Sequence, residues 1–183
     1  PVQVTYQDVF NQYIGLDPLA VKKSQLLEYI DRHGKLSDWL IAEGSIDTLL
    51  QFIFSEFIEP QIALDRPYFV YNFPRSQASL AKLSTRDNRV AERFECYYQG
   101  LELANGFNEL TDAKEQVARF KRDNSERKSM GLPERTIDEK FVSSLEQGLP
   151  DCAGVALGID RLMMLASGAE HITQVISFPV TKA

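Results

Sequence analysis

The sequence predicts an α+β fold, an antiparallel β-sheet flanked by helices, from three observations. Apolar residues recur at helical spacing from the start of the chain to Ile58. From Pro67 the pattern changes to aromatic and β-branched runs of strand type. Between Arg93 and Leu110 two such runs flank Gln99-Gly100, a two-residue turn whose glycine tolerates positive φ, which is the signature of a hairpin.

Taken in order, Thr5 followed by Asp8 suits a helix cap, with Val9, Phe10, Tyr13 and Ile14 on one face and Gly15 as the stop. Residues Lys22 to His33 form a second amphipathic helix, with Leu26, Leu27 and Ile30 inward and Gly34 closing it. Leu36 to Ala42 adds a turn or two. Ser45 caps a third helix, Ile46 to Ile58, whose apolar residues cover most of its circumference and so predict burial on more than one side. Tyr68 to Phe73 is a strand ended by Pro74. The small-residue segment Ser76 to Thr85 suits equally a loop beside a site and a plain surface connection. After the hairpin come a charged helix from Asp112 to Met130, a helix from Ile137 to Gln147, and a strand turning directly into a helix that Gly168 closes. A short helix near Glu170 to Gln174 and an apolar Val175 to Val180 finish the sequence. No repeat, low-complexity tract or linker interrupts it, so residues 1–183 read as one contiguous piece of a domain.

The net charge of −6 argues against a broad nucleic-acid-binding surface. Two cysteines without a CxxC pattern, Cys96 and Cys152, suit reduced thiols and a cytoplasmic protein. No apolar run reaches membrane-spanning length.

Two stretches carry chemistry. With Gln99-Gly100 as the loop, Tyr97 faces Glu102 and Glu95 faces Ala104, so Glu95, Tyr97 and Glu102 share a face. Two carboxylates that close repel unless a proton or cation sits between them, a reason to look for Mg²⁺; ordinary exposed glutamates are the alternative. In Gly154-Val155-Ala156-Leu157-Gly158, alternation leaves the face of Gly154, Ala156 and Gly158 almost bare, with Arg161 in the first turn of the helix that follows. Either a flat ligand lies against that face and the guanidinium meets it, or the small residues serve tight packing and Arg161 a structural ion pair.

Together, GVALGIDRL and ERFECYYQGLELANGFNELTDAKEQ resemble the second half of a class II aminoacyl-tRNA synthetase catalytic domain of the lysyl type. The first is similar to motif 3, the second to the metal- and lysine-binding hairpin. Over the whole chain, FPRSQASLAKLS, Ala156 and the Pro150-Asp151-Cys152 approach to motif 3 resemble the truncated lysyl-tRNA synthetase paralogues that modify elongation factor P. The resemblance implies ATP-dependent activation of (R)-β-lysine or lysine as an aminoacyl-adenylate. It then implies transfer to a lysine of elongation factor P, an acceptor protein in place of tRNA. It assigns Glu95 and Glu102 to Mg²⁺; Glu102, Leu103, Gly158 and Arg161 to ATP, with Arg161 catalytic; and Asn105, Glu109 and Ala156 to the amino-acid substrate, Glu109 meeting its side-chain ammonium. Class II motifs 1 and 2 are expected upstream of Pro1, with a homodimer for the whole enzyme and no activity for this piece alone. A lysyl-tRNA synthetase fragment and a non-catalytic synthetase-like regulator are the competing expectations. Strict alternation places Asn105 and Glu109 opposite Glu102, so the resemblance requires a bulge or bend, for which Gly106 is the expected position.

Overall fold

A computed structural model describes residues 1–179. Five strands form one sheet in the order β1 (Val2–Thr5), β2 (Tyr68–Pro74), β3 (Val90–Tyr98), β4 (Leu101–Asn108) and β5 (Ala153–Leu157). All pairings are antiparallel except β1 with β2, which run parallel. The expected α+β architecture is therefore present, with β1 as an addition: Val2-Gln3-Val4-Thr5 alternates apolar with polar over the minimum length for a strand signal.

The helical layer follows the sequence closely. Thr5 caps α1 (Tyr6–Tyr13) by accepting from the Asp8 amide at 3.0 Å. α2 (Lys23–Arg32) ends before Gly34 at φ +66°, and α3 (Asp38–Ala42) is a single short turn of helix. Ser45 caps α4 (Ile46–Ile53). The helix expected to run on to Ile58 does so with a change of winding, as a π-helical segment Phe54–Ile58 followed by a 3₁₀ turn, Glu59–Gln61. Leu26, Ile30, Leu49, Ile53 and Ile58 are fully buried. They pack with Tyr6, Phe10, Phe54, Val70, Phe73 and Tyr97 in one core between this layer and one face of β2 and β3.

Asp112 caps α5 (Ala113–Ser129), and Asp138 caps α6 (Glu139–Gln147), which starts two residues later than its apolar pattern suggests because the cap decides the first turn. Gly158 leads into α7 (Ile159–Ser167), and Gly168 in the left-handed conformation closes it. The last short helix is a 3₁₀ turn, Ile172–Gln174. Of the apolar C-terminal run, Val180 lies outside the described residues. No helix among the described residues is long and apolar enough to cross a membrane.

The hairpin has the expected Gln99-Gly100 turn, both residues at positive φ, with Tyr98 opposite Leu101 and Tyr97 opposite Glu102. The register then slips: Cys96 pairs with Ala104, Glu95 with Asn105 and Arg93 with Phe107, leaving Leu103 as an extra residue on β4. Glu95 thus faces Asn105 and not Ala104. The bulge falls at Leu103 and not at Gly106, which pairs in regular register with Phe94 on one side and Val155 on the other. Gly106 answers a different need. A methyl built on it would stand 2.7 Å from Phe94 Cζ and 2.9 Å from the Gly154 carbonyl oxygen, so the Phe94 ring lies across the bare backbone. Gly106→Ala is therefore expected to cost about 1–3 kcal/mol by overpacking. Urea unfolding checks it, and a second change, Phe94→Leu, recovers most of the loss if the ring is the cause.

Candidate functional site

Because Leu103 adds one residue, β4 changes phase after Glu102. Glu95, Tyr97, Glu102, Asn105, Phe107 and Glu109 then share one face. β5 extends it, with Ala156 opposite Asn105 and Gly154 opposite Phe107. The hairpin and the glycine-rich strand, separate in the sequence, become one continuous floor.

Glu95 is 7% exposed and held by three donors. Its Oε1 accepts from the Arg93 guanidinium and from Asn105 Nδ2 at 3.1 Å, and its Oε2 from the Tyr97 hydroxyl. Arg93 itself donates to the Gln77 carbonyl at 2.8 Å and lies 4.6 Å from the Phe73 ring centroid and 5.9 Å from that of Phe107. Burial and the adjacent Glu95 charge push the Tyr97 hydroxyl far up, so it stays a proton donor to the carboxylate.

Glu102 of β4 and Arg161 of α7 meet at the edge of this floor. Arg161 Nη1 donates to the Glu102 carbonyl at 2.6 Å and stands 3.5 Å from its Oε2, with both side chains partly exposed (46% and 37%). The Gly158 amide donates to the Leu103 carbonyl at 2.8 Å, which closes β5 onto the bulge. The two glycines of the bare strand differ in kind. At Gly154 an added methyl would collide with the Glu109 carboxylate, which lies over that glycine. At Gly158 the nearest atoms are Arg161 Cδ at 3.5 Å and the Leu103 oxygen at 3.6 Å, ordinary contacts, so the protein's own packing does not demand a glycine there.

The segment Ser76 to Thr85 lies beside this floor. Ala81 bridges to Glu109, Lys82 donates its amide to the Asn108 carbonyl and Leu110 donates to the Leu80 carbonyl, both at 2.8 Å. A cleft of about 770 Å³ borders this segment. It is walled by Arg75, Arg89, Arg93, Arg119 and Arg122 together with Ser76 to Ser79, and holds none of Glu95, Glu102, Asn105, Glu109, Ala156, Gly158 and Arg161.

Glu59, Arg93 and Phe107 were not legible as site residues. For Arg93 a signal existed, an Arg and a Glu two apart on one strand face. Glu59 gives none, since it reaches the site only through the turn after the π-helical segment. Burial, then the charges of Glu102 and Glu95, raise its carboxyl above the usual range, against a smaller opposing pull from Arg161. Glu59, Glu95 and Glu102 set three carboxylates against the two guanidinium groups of Arg93 and Arg161, an imbalance that a cation would relieve. Among the described residues no three of His, Cys, Asp and Glu stand together as a metal cage. Mg²⁺ does not need one, because it takes one or two carboxylates and completes its shell with water and phosphate oxygens. The diagonal Glu95–Glu102 pair fits that pattern.

The chain matches the family model of class II tRNA synthetases (D, K and N) over residues 3–182. It is 56% identical over 180 residues to the elongation factor P–(R)-β-lysine ligase of Proteus mirabilis, covering 98% of this chain and 55% of that protein. It is 54% identical over 179 residues to the ligase of the same name from Haemophilus ducreyi (98% and 54%) and 55% identical over 180 residues to that of Haemophilus influenzae (98% and 55%). The chain spans about half the length of the curated relatives it matches.

A raised folded-state pKa means that the charged Glu59 opposes folding above that pKa, and that the cost fades as pH falls through it toward the ordinary value of 4.5. Glu59→Gln is expected to melt higher than the parent at pH 7–8, with the gap closing near about pH 4.5. A pH-independent difference in thermal scans would contradict a raised Glu59 carboxyl.

Proposed function

Because the chain belongs to the family of class II tRNA synthetases (D, K and N), we propose that it is the C-terminal part of an AMP-forming ligase. The enzyme would activate (R)-β-lysine or lysine with ATP and pass it to a lysine of elongation factor P. The observation that carries the proposal is the convergence of Glu95, Glu102, Asn105 and Glu109 on one face with Ala156, together with Arg161 closing its edge. The names of the relatives support the acceptor.

A substrate carboxylate oxygen attacks the α-phosphorus of ATP, and the bond to the bridging oxygen breaks with release of pyrophosphate. The acceptor amine, having lost a proton, then attacks the carbonyl carbon of the mixed anhydride, and AMP leaves. No protein nucleophile is needed, so the residues act by position and charge. Glu109, seated over Gly154, meets the substrate's side-chain ammonium, with Asn105 beside it. The space beside Gly158 and the Leu103 backbone takes the nucleotide. Arg161, partly exposed, is free to exchange the Glu102 carboxylate for phosphate oxygens. Glu95, fixed by Arg93, Tyr97 and Asn105, and Glu102 would hold Mg²⁺, which would neutralise phosphate charge when bound.

The test is pyrophosphate exchange by the complete protein with α-lysine and with β-lysine, followed by transfer to elongation factor P or to tRNA. Exchange and transfer to elongation factor P are expected. Transfer to tRNA would favour a lysyl-tRNA synthetase, and exchange with neither amino acid a non-catalytic regulator. The Ala156 methyl shares the floor with Asn105 and narrows the amino-acid end of the pocket. Ala156→Gly is expected to move the kcat/KM preference toward α-lysine by about tenfold. An unmoved ratio would remove that role.

A further inference from the structure

Arg119, on α5, is charged and 7% exposed, yet touches none of the site residues. Its Nε and Nη2 are anchored by Glu115 Oε1 one turn earlier, at 3.2 and 2.6 Å. Its Nη1 donates to two backbone carbonyls at once, Ser79 at 2.9 Å and Ala81 at 2.7 Å. These carbonyls belong to a strap with few bonds of its own, a turn closed by the Ala81 amide on the Ala78 carbonyl at 2.8 Å. Ser79, inside that turn, sits at φ +52°, a costly conformation for a residue with a side chain. The strap's backbone meets β3 only from Lys82 on, where the Glu92 amide donates to the Lys82 carbonyl at 2.8 Å and Leu83 bridges to Ala91. From the other end, Arg93 grips the Gln77 carbonyl.

The strap in turn fixes Glu109. Leu80 accepts from the Leu110 amide and the Lys82 amide donates to Asn108, so the residues on both sides of Ala81 bind those on both sides of Glu109. Across the strand the Glu109 amide donates to the Cys152 carbonyl at 3.0 Å. The Glu109 backbone is therefore clamped between Cys152 and the strap, and its carboxylate is laid over Gly154.

We infer that Arg119 is a positioning residue for the amino-acid substrate, setting through the Ser79 and Ala81 carbonyls where the Glu109 carboxylate stands. The inference rests on the function proposed above and adds to it a residue remote from both ligands. A carboxylate that meets an ammonium group acts on amino-acid binding and has no direct contact with ATP. Loss of its position consequently separates the two substrates, whereas general loosening of the fold would affect both.

The experiment uses the complete protein carrying Arg119→Lys and Arg119→Met. Lysine keeps the charge and reaches one carbonyl; methionine fills the space and donates nothing. Pyrophosphate exchange is expected to show the KM for the amino acid rising about tenfold in Arg119→Met and less in Arg119→Lys, with the KM for ATP within about twofold. Hydrogen exchange at the Leu110 and Lys82 amides should accelerate while that of the Glu95–Asn105 part of the hairpin does not. If the methionine variant fails to fold, the lysine variant decides by the same split. Equal rises in both KM values, or faster exchange at Leu110 and Lys82 with an unchanged amino-acid KM, would overturn the inference. A parent protein that exchanges pyrophosphate with neither amino acid would instead sink the proposed function. Unchanged amide protection in both variants would sink the clamp itself.

Discussion

Side chains on a strand alternate, and a two-residue turn preserves that alternation from one arm of a hairpin to the other. Under those rules alone Glu95 and Glu102 share a face while Asn105 and Glu109 point away from it. The extra residue at Leu103 breaks the rule once. Everything that makes a site follows: Asn105 reaches Glu95 across the strands, Glu109 settles over Gly154, and the bare residues of β5 lie beside charged ones. The bulge is itself pinned, because the Leu103 carbonyl it turns outward accepts the Gly158 amide. The phase change of β4 and the start of α7 are thus fixed by one hydrogen bond.

The charges on this floor are compensated unequally. Glu95 is buried and surrounded by donors, a carboxylate whose orientation is set before any ligand arrives. Removing Arg93 would leave it uncompensated, which typically costs about 3–5 kcal/mol. Glu102 is answered by Arg161 near solvent, where both can reorganise. Glu59 is answered least, and burial, more than the charges of Glu102 and Glu95, raises its carboxyl. One rigid and one adjustable carboxylate beside a surplus of negative charge form a surface that a cation would neutralise.

Much of this was legible in the sequence, and the remainder was not for identifiable reasons. Helix caps at Thr5 and Ser45, the glycine stops and the Gln99-Gly100 turn are local signals, and each places an element's end to within a residue or two. The family resemblance named Glu95, Glu102 and Glu109 together, which alternation could not. The bulge was expected at the glycine, because glycine is the usual mark of irregular backbone. It occurs instead at a leucine, where a cross-strand partner decides it, and no local signal reports that. The strap was ambiguous for a related reason. Part of its conformation comes from Arg93 and Arg119, residues distant in the sequence whose targets are backbone carbonyls.

Arg93 belongs to two systems at once. Its guanidinium sits near the rings of Phe73, a core residue, and Phe107, a floor residue, while its hydrogen bonds aim Glu95 and hold the strap at Gln77. A change in ring size at Phe73 would therefore travel to a carboxylate and a loop without touching any substrate. The shape of the floor can then change through aliphatic and aromatic exchanges deep in the interior. Two chains with identical floor residues need not hold them alike, and the interior packing is part of what has to be compared.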